Sequence, residues 1–262
     1  MKKMDKVIIV TGASSGIGLA TCKYLLSKGC KVYGVARRKF EGGFTCFQGD
    51  VTDVERMKEI LAEVVKAEGR IDGVVNNAGY GISGATENAD PADVEGIFSV
   101  NLTAVVNFCA AALPYLRESR GRIVNVSSVA AVTPIPFQSC YSASKAAVLN
   151  FSYALSGEVR PYGVKVSCVL PGDTKTGFTD ARVKGPEGGV YAEREKRSVE
   201  VMEKDERGGK PPETVARSVY KCLRKRRPPL KTTVGGSYKF IVFLVKILPA
   251  RLAQSIINKI YA

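Results

Sequence analysis

The sequence predicts a doubly wound α/β domain on a mostly parallel, seven-stranded sheet. Three observations carry that expectation. Short apolar runs alternate with helical patterns along the chain. The first run, Val7-Ile8-Ile9-Val10, is continuously apolar, as a strand covered on both faces must be. A glycine-rich turn, Thr11–Gly18, joins it to the next helical pattern.

The elements follow in order. Met1–Lys6 leads straight into Val7–Val10, and Leu19–Ser27 reads as a helix stopped by Gly29. Lys31–Ala36 and Thr45–Gln48 are the second and third strands. Thr52-x-x-Glu55 has the form of a capping box. It opens a helix with Met57, Ile60, Leu61, Val64 and Val65 on one face. A fourth strand ends at Val74–Asn76. Pro91 suits the first turn of a long helix running through Asn101 to about Ala112. Ile123–Val126 is a strand, Tyr141–Val159 a helix, and Val164–Leu170 a strand stopped by Pro171. Residues 173–215 are charged, Gly- and Pro-containing and weakly periodic, the composition of a mobile segment on the substrate side. Thr232–Gly235 reads as the last strand. A helical extension over 236–262 then carries the apolar run Phe240–Pro249 and a shorter helix, Leu252–Ile260. No repeat or low-complexity linker divides the chain, so residues 1–262 read as one domain.

Composition narrows the chemistry. The 262 residues contain no histidine, which excludes Ser-His-Asp and Cys-His catalysis and removes the commonest metal ligand, so no metal site is expected. Seven scattered cysteines without a CxxC pair suit a reducing compartment, and a cytoplasmic protein is expected. No signal-type segment and no apolar stretch of about 18 residues is evident. The net charge of +14 favours anionic partners, phosphates among them. No nucleic-acid-binding module accompanies it, so no nucleic-acid partner is expected.

The turn Gly12-Ala13-Ser14-Ser15-Gly16-Ile17-Gly18 has the character of a phosphate loop. Its glycines let backbone N–H groups approach a pyrophosphate, and the helix N-terminus adds positive potential. At the end of the second strand, where an NAD site carries an acid, stand Arg37 and Arg38. Arg37, with Arg38 beside it and Ser14 in reach, suits the 2′-phosphate of NADP(H).

Tyr141-Ser142-Ala143-Ser144-Lys145 sets a phenol and an ammonium one helical turn apart. A phenol near its reference pKa is a poor acid–base group at neutral pH. An ammonium at about 4 Å supplies an attraction on the order of 4 kcal/mol that lowers it.

Together, the glycine turn, Asn76-Asn77-Ala78-Gly79, Asn101, Ser127-Ser128, Tyr141-x-x-x-Lys145 and Pro171-Gly172 resemble the short-chain dehydrogenase/reductase family, in order, over about residues 5–176. The resemblance implies a compact Rossmann-like chain that moves a hydride between NADP(H) and a ketone or secondary alcohol. It makes Tyr141 the general acid/base, and Lys145 its pKa depressor and a ligand of the nicotinamide ribose. Ser128, 13 residues before Tyr141, becomes the substrate-oxygen holder in preference to Ser127. Asn101 becomes the anchor of a relay water. It further implies that Asn77, Ala78 and Gly79 flank the adenine ribose and Asp50 and Val51 the adenine. Pro171, Gly172 and Thr176 would then border the nicotinamide. A dimer or tetramer through the long helices is implied as well.

The substrate is less defined. Phe178, Tyr191 and the apolar tail favour a bulky lipophilic, steroid-like ketone, as in a hydroxysteroid dehydrogenase-like enzyme. The basic surface leaves open a 3-oxoacyl reductase acting on an acidic carrier protein, and a non-catalytic nucleotide sensor or scaffold is the alternative of another kind. The tail, rich in cations and apolar side chains, suits either a cap on the core, a subunit interface or peripheral contact with a membrane.

Overall fold

The computed structural model describes residues 5–185 and 189–261. The expected entry of Met1–Met4 into the first strand, and Pro186–Gly188 of the expected mobile segment, lie outside the described residues. The chain runs through β1 (Val7–Thr11), α1 (Gly16–Ser27), β2 (Lys31–Ala36), β3 (Thr45–Gln48), α2 (Val54–Glu68), β4 (Gly73–Asn76) and a short β5 (Ile82–Ser83). Next come α3 (Pro91–Phe98), a π-helical turn (Ser99–Thr103), α4 (Ala104–Ser119), β6 (Arg122–Val126), α5 (Ser139–Val159) and β7 (Lys165–Pro171). The last part holds β8 (Val183–Lys184), α6 (Ala192–Arg207), α7 (Glu213–Arg224), β9 (Lys231–Val234), α8 (Gly236–Ile247) and α9 (Ala250–Tyr261).

Seven strands form one sheet in the order β3-β2-β1-β4-β6-β7-β9, every pair parallel. β5 and β8 make a separate two-stranded ribbon. The continuous apolar run of β1 is explained by its two faces. Val7 and Ile9 join a core with α2, α4 and α5, including Met57, Phe108, Leu116 and Val148. Ile8 and Val10 join the opposite core with Leu25 of α1 and Val215, Val219 and Leu223 of α7. Each such buried side chain contributes on the order of 2 kcal/mol. The chain winds outward from β1 to β3, then crosses back to β4 on the other side of β1. That reversal opens a crevice at the carboxyl ends of β1 and β4, the place where such sheets bind ligands.

Four local expectations change. Asp53, not Thr52, caps α2: its carboxylate accepts from Arg56 N at 3.0 Å, while the Thr52 hydroxyl donates to Asp50 Oδ1 at 2.7 Å. The helix expected to end near Ala112 continues to Ser119 through Pro114. Pro114 and Ala110 both lie on the exposed face, so the carbonyl that loses its partner faces solvent. The helical run 91–119 is also long and apolar enough, by hydropathy, to cross a membrane, which no uninterrupted apolar stretch suggested. Its Phe108, Ala112 and Leu116 are core residues. Finally, the segment 173–215 is largely helical. The inward side of α6 is Glu195, Ser198 and Met202, so polar residues mask its period. Glu195 accepts from Ala85 N at 3.2 Å and Ser198 donates to Pro136 O at 3.2 Å, which makes their burial tolerable.

Candidate active site

The switch point holds a cleft of about 830 Å³. At its floor the ends of β1 and β4 are laced together. The Thr11 hydroxyl accepts from the backbone N–H groups of Asn77 and Ala78, both at 3.1 Å. The Asn77 amide donates back to Thr11 O at 3.0 Å and Gly12 O at 3.3 Å. Gly12 adopts φ +65°, and a Cβ there would lie 2.9 Å from Ala78 Cα. Gly16 adopts φ +51° beside Thr176. Gly18 faces away from the cleft: a Cβ on it would lie 2.1 Å from Gly12 O, so its task is to let α1 pack under the loop. The first turn of α1 carries no acid, which leaves its N–H groups free for an anion. Gly12 and Gly18 let β4 and α1 close up against the loop, and Gly16 keeps the cleft open beside Thr176, an arrangement that fits a dinucleotide pyrophosphate.

On one side of the loop, exposed Arg37 and Arg38 stand at the end of β2. Asp50 and Val51, just past the neighbouring strand β3, line the cleft as well, as do Ser14, Ser15 and Ile17 of the loop and α1. Among the described residues neither arginine forms an ion pair.

The other end of the cleft gathers the reactive groups. β6 delivers Ser127 and Ser128, and the first turns of α5 deliver Tyr141 and Lys145. The Ser127 hydroxyl is committed to Lys145 O at 2.7 Å. Ser128 accepts from Ala130 N at 3.1 Å, and its hydroxyl stands by the Tyr141 phenol. This division separates the two serines: Ser127 braces α5, and Ser128 faces the site. Lys145 Nζ lies 5.8 Å from the Tyr141 ring centroid and donates to Val126 O at 3.4 Å.

Burial governs both titrations. It pushes the Tyr141 phenol up to about 12, with Ser128 pulling the other way, and it pulls the Lys145 ammonium down to about 8. The direction on Tyr141 is opposite to the one expected from Lys145 alone: burial is its leading cause, and the Lys145 ammonium donates to the Val126 carbonyl.

Asn101 sits in the π-helical turn, wholly buried and outside the cleft wall. Its amide donates to Tyr80 O at 3.0 Å and to Ser144 Oγ at 3.1 Å, and its Oδ1 accepts from Tyr80 N at 3.1 Å. Both amide protons are committed, so the side chain ties the strand-four loop to α5. Gly79 makes this possible, because a Cβ there would lie 2.8 Å from Asn101 Oδ1 and 3.1 Å from Lys145 Nζ.

Pro171, Gly172, Thr176 and Phe178 complete the wall above Tyr141, and the Phe178 ring lies 5.6 Å from that of Tyr141. Tyr191 is elsewhere, tilted against Phe137 at 6.4 Å. Sequence reasoning missed Met202, Glu206, Tyr238, Ile257 and Tyr261, which close the cleft from α6, α8 and α9. The Tyr238 ring fills the space a Gly172 side chain would need, and its hydroxyl donates to Asp173. Burial, then Asp205 and Glu206, push the Asp173 carboxyl up to about 7. Glu206 pairs with Arg182 and accepts from Thr179 Oγ1 at 2.6 Å. The apolar run at 240–248 was the available signal for this wall, but it does not specify which side chains turn inward.

A glycine-rich loop at the switch point and, in the same cleft, Ser128 beside the buried Tyr141 and Lys145 define a nucleotide-dependent oxidoreductase on a Rossmann-like fold. The short chain dehydrogenase family model matches residues 6–187, and the chain belongs to the short-chain dehydrogenase/reductase family. It is 39% identical to a 3-ketodihydrosphingosine reductase of Bacteroides thetaiotaomicron, covering 98% of each chain. It is 30% identical to the NADPH-dependent 1-acyldihydroxyacetone phosphate reductase of Saccharomyces cerevisiae, over 97% of this chain and 90% of the relative. A solved short-chain dehydrogenase from Streptomyces avermitilis, 30% identical, superposes with a TM-score of 0.85 over 99% of this chain and 98% of its own.

Proposed function

We propose that the chain is an NADP(H)-dependent oxidoreductase that interconverts a ketone and a secondary alcohol on a bulky lipophilic molecule. The observation that carries the proposal is one cleft with two chemically different halves meeting at Tyr141. One half offers Gly12, Gly16, the α1 N-terminus and Arg37. The other offers Phe178, Met202, Ile241, Ile257 and Ile260. The names of the Bacteroides and yeast relatives support the reading, one specifying a keto compound of a sphingoid base and the other NADPH. A 3-ketodihydrosphingosine-like ketone is the substrate class that fits best.

The nicotinamide, when bound, supplies the hydride. The chain's residues do the rest. In reduction, Tyr141 gives its hydroxyl proton to the carbonyl oxygen, which becomes the alcohol hydroxyl. The Ser128 hydroxyl donates to that same oxygen and holds it beside the phenol. The charged Lys145 ammonium stabilises the phenolate left on Tyr141, and it would hold the nicotinamide ribose. Asn101 holds the Gly79–Tyr80 backbone and α5 at the spacing this requires, and its Oδ1 keeps a lone pair beside Lys145 for a relay water. Ser14, Ser15, Ile17 and Arg38 join the phosphate side, Asp50, Val51, Asn77, Ala78 and Gly79 the adenosine side, and Pro171, Gly172 and Thr176 the nicotinamide side. Gly18 supports the loop from behind. A homo-oligomer through α4 and α5 belongs to the same reading.

The test is NADPH oxidation across steroid, sphingoid, acyl-carrier and short ketones. Turnover is expected to be highest on long-chain ketones, and Tyr141→Phe to reduce kcat by about 10²–10⁴-fold with nucleotide binding retained. Tyr141→Phe turning over at the wild-type rate would overturn the proposal.

A further inference from the structure

The two C-terminal helices have a second side. Tyr238, Ile241, Ile257 and Tyr261 look into the cleft, and Ala253 and Ile257 are buried. On the other side, α8 carries Phe240, Phe243 and Ile247 and α9 carries Leu252 and Ile256, with Ile260 at the rim between that side and the cleft. The spacings, i, i+3, i+7 and i, i+4, i+8, put each set on one helical face. All six are 46–62% exposed. Single exposed apolar residues are ordinary, but two consecutive helices each bearing such a ridge are not.

Charge decides what covers this surface. The last acidic residue of the chain is Glu213, and eleven lysines and arginines follow it. On α8 and α9 themselves Lys239, Lys246, Arg251 and Lys259 are exposed, with no carboxylate on either helix. A second copy docking by the same face would bring four uncompensated cations against four more. An anionic bilayer accepts both features, acyl chains taking the ridges and lipid phosphates the cations.

We propose that α8 and α9 dock this protein on anionic membrane surfaces, as a peripheral rather than a spanning contact. The helices are fastened to the body for that purpose. Tyr238 bonds Asp173, Tyr261 donates to Asp205 Oδ2 at 3.2 Å, and Gln254 donates to Pro134 O at 3.3 Å. Ile241 and Ile260 are at once exposed and part of the cleft wall, so the outward apolar surface continues into the site. Docking therefore opens the cleft toward the bilayer, and a ketone with a long chain enters without crossing water. That last consequence rests on the lipophilic-substrate reading. The docking itself does not.

Co-sedimentation of the full chain with vesicles separates the two. Binding is expected to vesicles containing phosphatidylglycerol, to weaken at high salt, and to be at least about tenfold weaker on pure phosphatidylcholine. The variant Phe243→Asp is expected to lower binding at least tenfold, and Lys246→Gln/Arg251→Gln to lower it only on anionic vesicles. Turnover of a short, water-soluble ketone is expected to stay unchanged in both, since none of these residues lines the cleft. Equal binding by wild type and Phe243→Asp, or no binding to anionic vesicles, overturns the proposal. So does a wild-type dimer, seen by light scattering, that Phe243→Asp splits without any vesicle affinity, for then the face joins two copies. Loss of all ketone turnover with vesicle binding intact would strike the catalytic reading and leave the docking standing.

Discussion

The Lys145 ammonium stands 5.8 Å from the centroid of the Tyr141 ring while donating to the Val126 carbonyl. Both side chains are buried, so at neutral pH the phenol is protonated and the lysine charged. That is the state needed to give a proton to a ketone. As pH rises through about 8, Lys145 loses its charge well before Tyr141 ionises. The kcat/KM for ketone reduction is expected to fall with an apparent pKa near 8, measured at saturating NADPH in buffers of constant ionic strength. A profile flat from pH 7 to 10 would contradict this.

The same burial has a cost to folding. An amine whose pKa is lower folded than unfolded takes up its proton first in the unfolded chain. Stability is unaffected by Lys145 above its ordinary 10.5, declines as pH falls from there to about 8, and carries the whole penalty below 8. The difference corresponds to about 3 kcal/mol. Lys145→Met keeps the apolar stem and removes the charge. It is expected to unfold in urea at pH 7 with a free energy about 1–3 kcal/mol above wild type, a gain that vanishes near pH 11, while turnover is lost.

Much of this site was legible because its parts are local. The turn from Gly12 to Gly18 and the one-turn spacing of Tyr141 and Lys145 are properties of consecutive residues, and local backbone geometry places them. The sheet was legible because strands buried on both faces leave uninterrupted apolar runs. What stayed hidden depends on distant contacts. Tyr238 packs on Gly172 across 66 positions of sequence, and no local pattern marks the pair. α6 turns Glu195 and Ser198 inward, which erases the hydropathy period a helix normally shows. The upward direction on Tyr141 stays hidden for the same kind of reason: proximity to an ammonium is readable from spacing, and the depth of burial around the phenol is not.

Gly79 offers a test of how tightly the catalytic end is packed. A methyl group there would crowd Asn101 Oδ1 and Lys145 Nζ at 2.8 and 3.1 Å. Lysine can swing away, and Asn101, held by three bonds, cannot. Gly79→Ala is therefore expected to lower kcat about tenfold or more while leaving the protein folded by circular dichroism. Wild-type kcat in this variant would show that the ammonium's position is unimportant.

Arg37 extends from the end of β2 into solvent at the cleft wall, without an ion-pair partner among the described residues. Its removal costs no packing, so its effect is confined to the ligand. A bidentate contact to a 2′-phosphate is worth about 1.5–3 kcal/mol, and Arg37→Ala is expected to raise the Kd for NADPH about 10- to 100-fold with little change for NADH. Fluorescence titration with both nucleotides measures the ratio. Equal losses for the two would assign Arg37 to a contact they share.

Asp173 links the substrate wall to the C-terminal helices through Tyr238, and its charge is the unfavourable part of that link. An acid whose folded pKa is raised binds a proton more readily folded than unfolded. Below its ordinary 3.8 the carboxyl is protonated in both states and costs nothing; stability declines as pH rises from there toward about 7, and the penalty of the buried charge is complete above that. Asp173 is partly open to solvent, and screening reduces the penalty to about 2 kcal/mol or less. Asp173→Asn keeps an acceptor for the Tyr238 hydroxyl and discards the charge. It is expected to raise the urea midpoint at pH 8 and to lose most of that advantage at pH 5. Tyr238→Phe, which removes the donor and keeps the ring against Gly172, is expected to lower stability by about 1 kcal/mol at pH 8. Should Asp173→Asn be less stable than wild type at pH 8, the carboxylate would be holding α8 by its charge, and the bond to Tyr238 would have to be read as an ionic one.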